Sequence, residues 1–279
     1  MSESPFIHLA VRSSYSLLES MISPKDLKSW CLDHGMPAVA VTDRNNLFGA
    51  LETSLTLSGA GIQPIMACCF DVVDSGHRAE PSRLSLYAQN DTGYRRLMYL
   101  SSRSYLDAAD GVPKLARELV LEETDGLILL TGGAEGETAK LLLKGKHADA
   151  RTELSTLASA YPGRCYVEIT RHGTPDERSV EEGLIDLAYE LGLPLVGTHD
   201  ARFMKPDDAQ AHDAMMCIAN GQYLGQPDRK KVSPQQYLKT PSEMKVLFAD
   251  PDRKIRRQYV PEIQRVESGS QQNKISPRE

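Results

Sequence analysis

Arginines and carboxylates recur at the ends of the short apolar runs in this 279-residue sequence. Arg12-Ser13-Ser14 follows the first run, with Glu19 a short segment later. Thr42-Asp43-Arg44-Asn45-Asn46 closes the second, and Cys68-Cys69 lie within the third. Arg83 begins the fourth, Thr131-Gly132-Gly133 ends the fifth, and Arg171-His172 follows the sixth. His199-Asp200-Ala201-Arg202 ends the seventh. Such residues can form Arg–carboxylate forks, hold an oxyanion on guanidinium groups, or pass protons between carboxylate and imidazole. No three His, Asp, Glu or Cys residues sit together at metal-ligand spacing.

The individual signals are weaker than the pattern. His199-Asp200 has the composition of an acid/base dyad, but neighbours on a strand point to opposite faces, so a strand end is expected. Gly132–Thr138 lacks the Gly-Lys-Ser/Thr core of a phosphate loop and reads as a βα turn. Cys69 reads as a small apolar filler rather than a nucleophile. Tyr15, Tyr94, Tyr99 and Tyr105 do not form one stacking stripe. For Arg171 and His172 the default is a surface loop, with a phosphate contact as the alternative.

The elements that must position these residues alternate. Strands are expected over Phe6–Val11, Ala38–Thr42, Pro64–Val73, Arg83–Ala88, Leu127–Thr131, Cys165–Thr170 and Leu193–Thr198. Helices are expected from Ser23-Pro24 through His34, from Asn90-Asp91 towards Leu106, and over Glu135–Leu143, Ala148–Tyr161 and Pro175–Leu191. This alternation implies parallel pairing in an α/β sheet or barrel. Seven βα units in about 205 residues fit a barrel, whose chemistry belongs at the C-terminal strand ends.

Composition narrows the class. Apolar residues make up 41% of the chain, and 32 Lys+Arg stand against 38 Asp+Glu, a net charge of −6. The last 29 residues hold seven Lys/Arg and four Asp/Glu, so they carry +3 and the first 250 carry −9. An acidic body is a poor duplex-binding surface. Five cysteines without CxxC spacing point to reduced thiols in the cytoplasm. There is no signal-peptide pattern and no membrane-spanning run.

Six ordered segments carry a resemblance: HLAVRSSYSLLES, VAVTDRNNLFGA, GIQPIMACCF, LYAQNDTGYRRLMYLSS, GLILLTGG and LPLVGTHDARF. Together they resemble the PHP (polymerase and histidinol phosphatase) domain family, in the form found at the N-terminus of bacterial DNA polymerase III alpha subunits. SPQQYLKTPSEMKVLFAD is similar to the segment that follows that domain. The resemblance implies a distorted seven-stranded (β/α) barrel over residues 1–232 and the start of the next segment over 233–250; by composition, 251–279 reads as a basic, polar tail, disordered or weakly helical.

Metal-binding members of the family hold three metal ions, often including zinc or manganese, on about nine ligands and can act as phosphoesterases or 3′–5′ exonucleases. Matched position by position, those ligands fall on Ala10, Arg12, Glu19, Arg44, Cys69, Arg83, Gly133, Asp200 and Arg202. Asp200 alone is retained, and Glu19 keeps the charge type. Arginine has no free lone pair for a metal, so neither a cofactor nor hydrolysis is expected, and no residue is assigned as catalytic or metal-binding. Four guanidinium groups, Arg12, Arg44, Arg83 and Arg202, converge near Glu19, Asp43 and Asp200. They either pair with those carboxylates or bind phosphate or pyrophosphate.

The resemblance implies a role in replication. The domain would be a platform for the polymerase core and a docking surface for the separate proofreading exonuclease subunit and other polymerase III components. DNA would be met only through the parent polymerase. Polymerase activity would belong to domains this chain does not contain; the chain would then be a fragment, a designed domain or a reading frame cut short by a frameshift, and loss of the resemblance beyond Asp250 favours the last. Two alternatives are a metal-dependent phosphoesterase or exonuclease, and an anion-binding module built on the four arginines.

Overall fold

The computed structural model describes residues 6–74, 80–226, 229 and 231–249. The expected strands form: β1 (His8–Val11), β2 (Ala38–Arg44), β3 (Gln63–Val73) and β4 (Ser82–Ala88). After a two-residue strand β5 (Leu115–Ala116) come β6 (Leu127–Leu130), β7 (Cys165–Thr170) and β8 (Leu195–Thr198). They pair in the order β1-β2-β3-β4-β6-β7-β8, with β5 attached to the end of β3. A parallel bridge from Val11 to Ala201 brings the two ends of this row together, giving a nearly closed seven-stranded barrel.

One strand runs the other way. β4 is antiparallel to both β3 and β6, which corrects the expectation of parallel pairing throughout. The link from Val73 to Ser82 is shorter than the dozen residues a parallel crossover needs. Arg83, at the beginning of β4, therefore reaches the same end of the barrel as the C-terminal ends of the parallel strands.

Alternation along each strand sorts residues into two layers. Ile7, Leu9, Ala38, Ala40, Ile65, Ala67, Tyr87, Ile128, Leu130, Tyr166 and Val196 fill the barrel interior. Val39, Val41, Val167, Ile169 and Leu195 face outward onto helices, as Phe70, Leu84, Leu86 and Leu129 do in a second outer cluster. In β1 the alternation is broken. His8 pairs with Val39 and Val11 with Val41, so one extra residue sits in β1. A bulge of this kind re-aims the side chains beyond it. Leu9 faces inward but Val11 faces outward. Arg12 is thereby turned into the mouth.

Four of the described helices, those beginning at Pro24, Asp91, Pro175 and Pro241, start at side-chain caps. The Ser23 side chain accepts from Asp26 N at the start of α1 (Pro24–Asp33), after which comes α2 (Ala50–Ser58). Asn90 caps α3 (Asp91–Leu106). The short α4 (Arg117–Leu121) precedes α5 (Glu137–Leu143) and α6 (His147–Ala160). Thr174 and Glu177 form a capping box on α7 (Pro175–Glu190), ahead of α8 (Ala209–Asn220) and α9 (Pro241–Leu247). No helix among the described residues is long and apolar enough to cross a membrane.

Residues 233–249 pack into the barrel's outer core, where Leu238, Met244 and Phe248 are buried with Val11, Leu27 and Leu195. The tail expected over 251–279 lies outside the described residues.

Candidate functional site

The inward parity that fills the barrel with aliphatic side chains changes character at its C-terminal end. The next inward positions are Thr42 and Arg44 on β2, Cys69 and Asp71 on β3, and Ser85 and Arg83 on β4. Glu168 and Thr170 on β7 follow, then Thr198 and Asp200 at β8. All of these but Asp71 and Thr198 line a cavity of about 710 Å³. Of the nine positions matched from sequence, Ala10, Arg12, Glu19, Arg44, Cys69, Arg83, Asp200 and Arg202 line it. Gly133 sits between two further lining residues, Gly132 and Ala134.

The four arginines are joined through carboxylates into one chain of alternating charge. Arg202 donates to Asp200 Oδ2 from Nε at 3.0 Å and from Nη2 at 2.8 Å. Arg12 Nε donates to Asp200 Oδ1 at 2.6 Å, and Arg12 Nη1 lies 3.5 Å from Glu19 Oε2. Glu19 also accepts from Arg44 Nη1, and Arg44 Nε donates to Asp71 Oδ2 at 2.6 Å. Arg83 Nε donates to Asp71 Oδ1 at 3.1 Å, while its Nη1 pairs with Glu135. The four guanidinium charges thus meet the four carboxylates Asp200, Glu19, Asp71 and Glu135.

Electrostatics follow from this chain. Burial alone pushes the Asp200, Asp71 and Glu19 carboxyls up, but the adjacent guanidinium groups outweigh it and hold all three below their ordinary values. The same partners raise Arg12, Arg44 and Arg83 further despite burial. Each carboxylate a metal would need is therefore already ion-paired with at least one guanidinium group. Among the described residues, no three His, Cys, Asp or Glu side chains are grouped to hold a metal ion.

Asp43, placed next to the arginines by sequence, is not part of the chain. It has the outward parity of Val39 and Val41, and its carboxylate accepts from Ser13 N at 2.8 Å and from the Ser13 and Ser16 hydroxyls at 2.6 Å each. Asp71 and Glu135 take its place. Asp71 was legible from parity, two residues beyond Cys69 on an inward face. Glu135 follows the Gly132-Gly133 turn and was hidden inside it.

Two further residues complete the site. His172 is buried rather than on a surface loop: its Nδ1 lies 2.6 Å from Glu177 Oε1, and its Nε2 accepts from Asp200 N at 3.2 Å. It therefore fixes the backbone that carries Asp200. Glu168 accepts from Thr198 Oγ1 at 2.5 Å and from Gly132 N at 2.9 Å, and burial raises its carboxyl above the usual range. Gly132 stands at φ 83°, where an added Cβ would lie 1.9 Å from the Arg83 carbonyl oxygen. His199 points away from Asp200, as the alternation requires, with Nε2 3.0 Å from Tyr237 O. Burial pushes the Cys69 thiol up, against the neighbouring Arg12 and Arg83 charges.

Residues 8–172 match the PHP domain family. The chain is 43% identical over 251 residues to a DNA polymerase III subunit alpha of Caulobacter vibrioides, covering 88% of this chain and 22% of that protein. It is 37% identical over 252 residues to the Escherichia coli K12 protein of the same name, covering 90% and 22%. The chain thus spans little more than a fifth of the length of these relatives. A two-domain Bacteroides vulgatus protein containing a predicted PHP-like metal-dependent phosphoesterase overlaps it at a TM-score of 0.45. The identity there is 11%, over 78% of this chain and 56% of the other.

Proposed function

Because the chain belongs to the PHP domain family, we propose that it is a non-catalytic PHP domain serving bacterial DNA replication as part of a DNA polymerase III alpha subunit. Its role there is structural. It is a platform for the polymerase core and a docking surface for the proofreading exonuclease subunit, in the cytoplasm. Nucleotidyl transfer by the whole subunit would come from the part of its relatives' length that this chain does not span.

One observation carries the non-catalytic reading: the unbroken alternation of four arginines and four carboxylates across the mouth. Family members that hydrolyse phosphoesters need a metal to activate water and accept developing charge. The side chains here do not fit such a cluster. Arginine cannot ligate, Ala10 offers no donor, and each of the four carboxylates Asp200, Glu19, Asp71 and Glu135 faces at least one guanidinium. The same pairing supports a structural use, since Asp200, Glu19 and Asp71 tie residues from β1, β2, β3, β4 and the β8 end to one another.

The test is elemental analysis of the purified chain, a phosphodiesterase assay with added zinc and manganese, and co-purification with the exonuclease subunit. Substoichiometric metal, no turnover and retention of the exonuclease are expected. Stoichiometric metal accompanied by hydrolysis would overturn the non-catalytic reading, and loss of the exonuclease would overturn the docking role.

A further inference from the structure

Asp43, on the outward face of β2, has one place left at which to accept a hydrogen bond. Its Oδ1 takes Ser13 N at 2.8 Å and the Ser16 hydroxyl at 2.6 Å, and its Oδ2 takes the Ser13 hydroxyl at 2.6 Å. A carboxylate accepts about four such bonds, shared equally between its oxygens, so Oδ2 keeps a lone pair. Thr53, on α2, is 1% exposed, and its Oγ1 is buried without a partner. It does not take the carbonyl one helical turn back, where a helical threonine commonly bonds. Asp43 and Thr53 line one small crevice between β2, β3 and α2, whose other walls include Val41, Leu47 and Met66. Its volume is about 10 Å³.

We propose that this crevice binds one structural water, which donates to Asp43 Oδ2 and accepts from the Thr53 hydroxyl. Size and chemistry both select it. A single water needs about 10–15 Å³ and at least two polar partners, so a larger ligand does not fit. A hard cation would need about six oxygen ligands, which these largely apolar walls do not offer. The water removes the cost of a buried, unpaired hydroxyl. It also has structural reach. Ser16 Oγ, which donates to Asp43, accepts from Arg44 N at 3.1 Å, and Ser16 O accepts from Glu19 N at 2.9 Å. Thr53, the water and Asp43 thereby tie α2 to the loop that carries Glu19 to the mouth. The site stands apart from the proposed function and holds whatever partner the domain has.

The test is a high-resolution crystal structure of the chain and of Thr53→Val, which keeps the branched shape and removes the hydroxyl, with urea unfolding of both. An ordered water within hydrogen-bond distance of Thr53 Oγ1 and Asp43 Oδ2 is expected in the parent and is lost in the variant. A dry crevice, a Thr53 hydroxyl turned onto a protein acceptor, or an ion in the water's place overturns the inference. Thr53→Val should shift the folding equilibrium towards the unfolded chain by about tenfold, because Asp43 loses a donor with the water. A hydroxyl that held no water would make the same substitution neutral or stabilising, and that result also overturns the site. Exchange of the Ser13 and Glu19 amide hydrogens should rise more in Thr53→Val than exchange in α6 does; an equal rise overturns the tie to the mouth. If Thr53→Val does not fold, Thr53→Ser, which keeps the hydroxyl, should fold with the water in place, and its absence there overturns the site.

Discussion

Asp71 and Arg83 are direct register partners across the antiparallel β3–β4 pair, and Arg83 Nε lies 3.1 Å from Asp71 Oδ1. This contact depends on the reversed strand. Were β4 parallel, Arg83 would begin its strand at the opposite end of the barrel. Asp71 also accepts from Arg44 Nε at 2.6 Å and from Asn45 Nδ2 at 3.2 Å. A single buried carboxylate therefore links two guanidinium groups and an amide.

Replacing that carboxylate should be expensive. Asp71→Asn leaves Arg44 and Arg83 sharing a neutral amide while most of their surroundings remain buried. Removing one partner of a buried ion pair costs about 3–5 kcal/mol. Urea unfolding should show a lower midpoint of that order at unchanged slope, and adding Arg83→Met should recover part of the loss because the two sites are coupled. A change within about 0.5 kcal/mol would mean that solvent replaces the carboxylate freely.

The arginines should ignore phosphate. An entering dianion would have to displace a carboxylate from Arg12, Arg44 or Arg202, and would then sit beside the negative charge it displaced. Calorimetric titration with phosphate and pyrophosphate at pH 7 is expected to give no saturable heat, with no rise in melting temperature. A one-to-one isotherm that Arg202→Ala abolishes would show that the mouth binds anions despite its internal pairing.

Legibility in the sequence followed the physics of each signal. The seven barrel strands and the long helices were readable because apolar runs and capping residues such as Ser23, Asn90 and Gly35 are local. Reversal of β4 was not marked by composition, since an inward-outward alternation looks the same in either direction; the short link after Val73 was the available clue. Asp43 was misplaced because adjacency in sequence was weighed above strand parity, and Asp71 was missed for the same reason. Glu168 was passed over, although a lone charge among the β-branched and aromatic neighbours of β7 was the available signal. His172 could not be placed, because its partners Glu177 and Asp200 come from a helix cap and another strand. The α2, α4, α8 and α9 helices were passed over, and with them the packing of residues 233–249.

That packing predicts where the folding unit ends. An added Cβ at Gly197 would lie 2.8 Å from the Phe248 ring, and Arg171 donates to Leu247 O at 2.8 Å while its guanidinium sits 5.1 Å from the centre of that ring. Phe248→Ala should therefore cost about 3–5 kcal/mol. A chain ending at Val232 should lose cooperative thermal unfolding, because Leu238, Met244 and Phe248 leave together and expose outer-core residues such as Leu195. Full cooperativity of the shortened chain would place the boundary before residue 233.

The same segment makes stability depend on pH through His8. Its Nε2–H donates to Lys239 O at 2.8 Å, its Nδ1 is buried without a partner, and its ring lies 4.9 Å from Phe6 and 5.5 Å from Trp30. Burial lowers its pKa from 6.5 to about 4, against the raising effect of the bond to Lys239 and with a smaller push from His34. The unfolded chain therefore binds the proton first. The contribution is complete above pH 6.5 and is lost as pH falls towards 4, amounting to about 3 kcal/mol across that window. His8→Gln keeps an N–H donor for Lys239 O and cannot titrate. Its absolute stability should fall through lost ring packing, but between pH 6.5 and 4.5 its stability should decline less steeply than the parent's by up to one proton's worth. His199 and His212, both shifted in the same direction by burial, would supply the slope that remains. Identical slopes for parent and variant in urea titrations across that range would show that His8 does not carry the dependence.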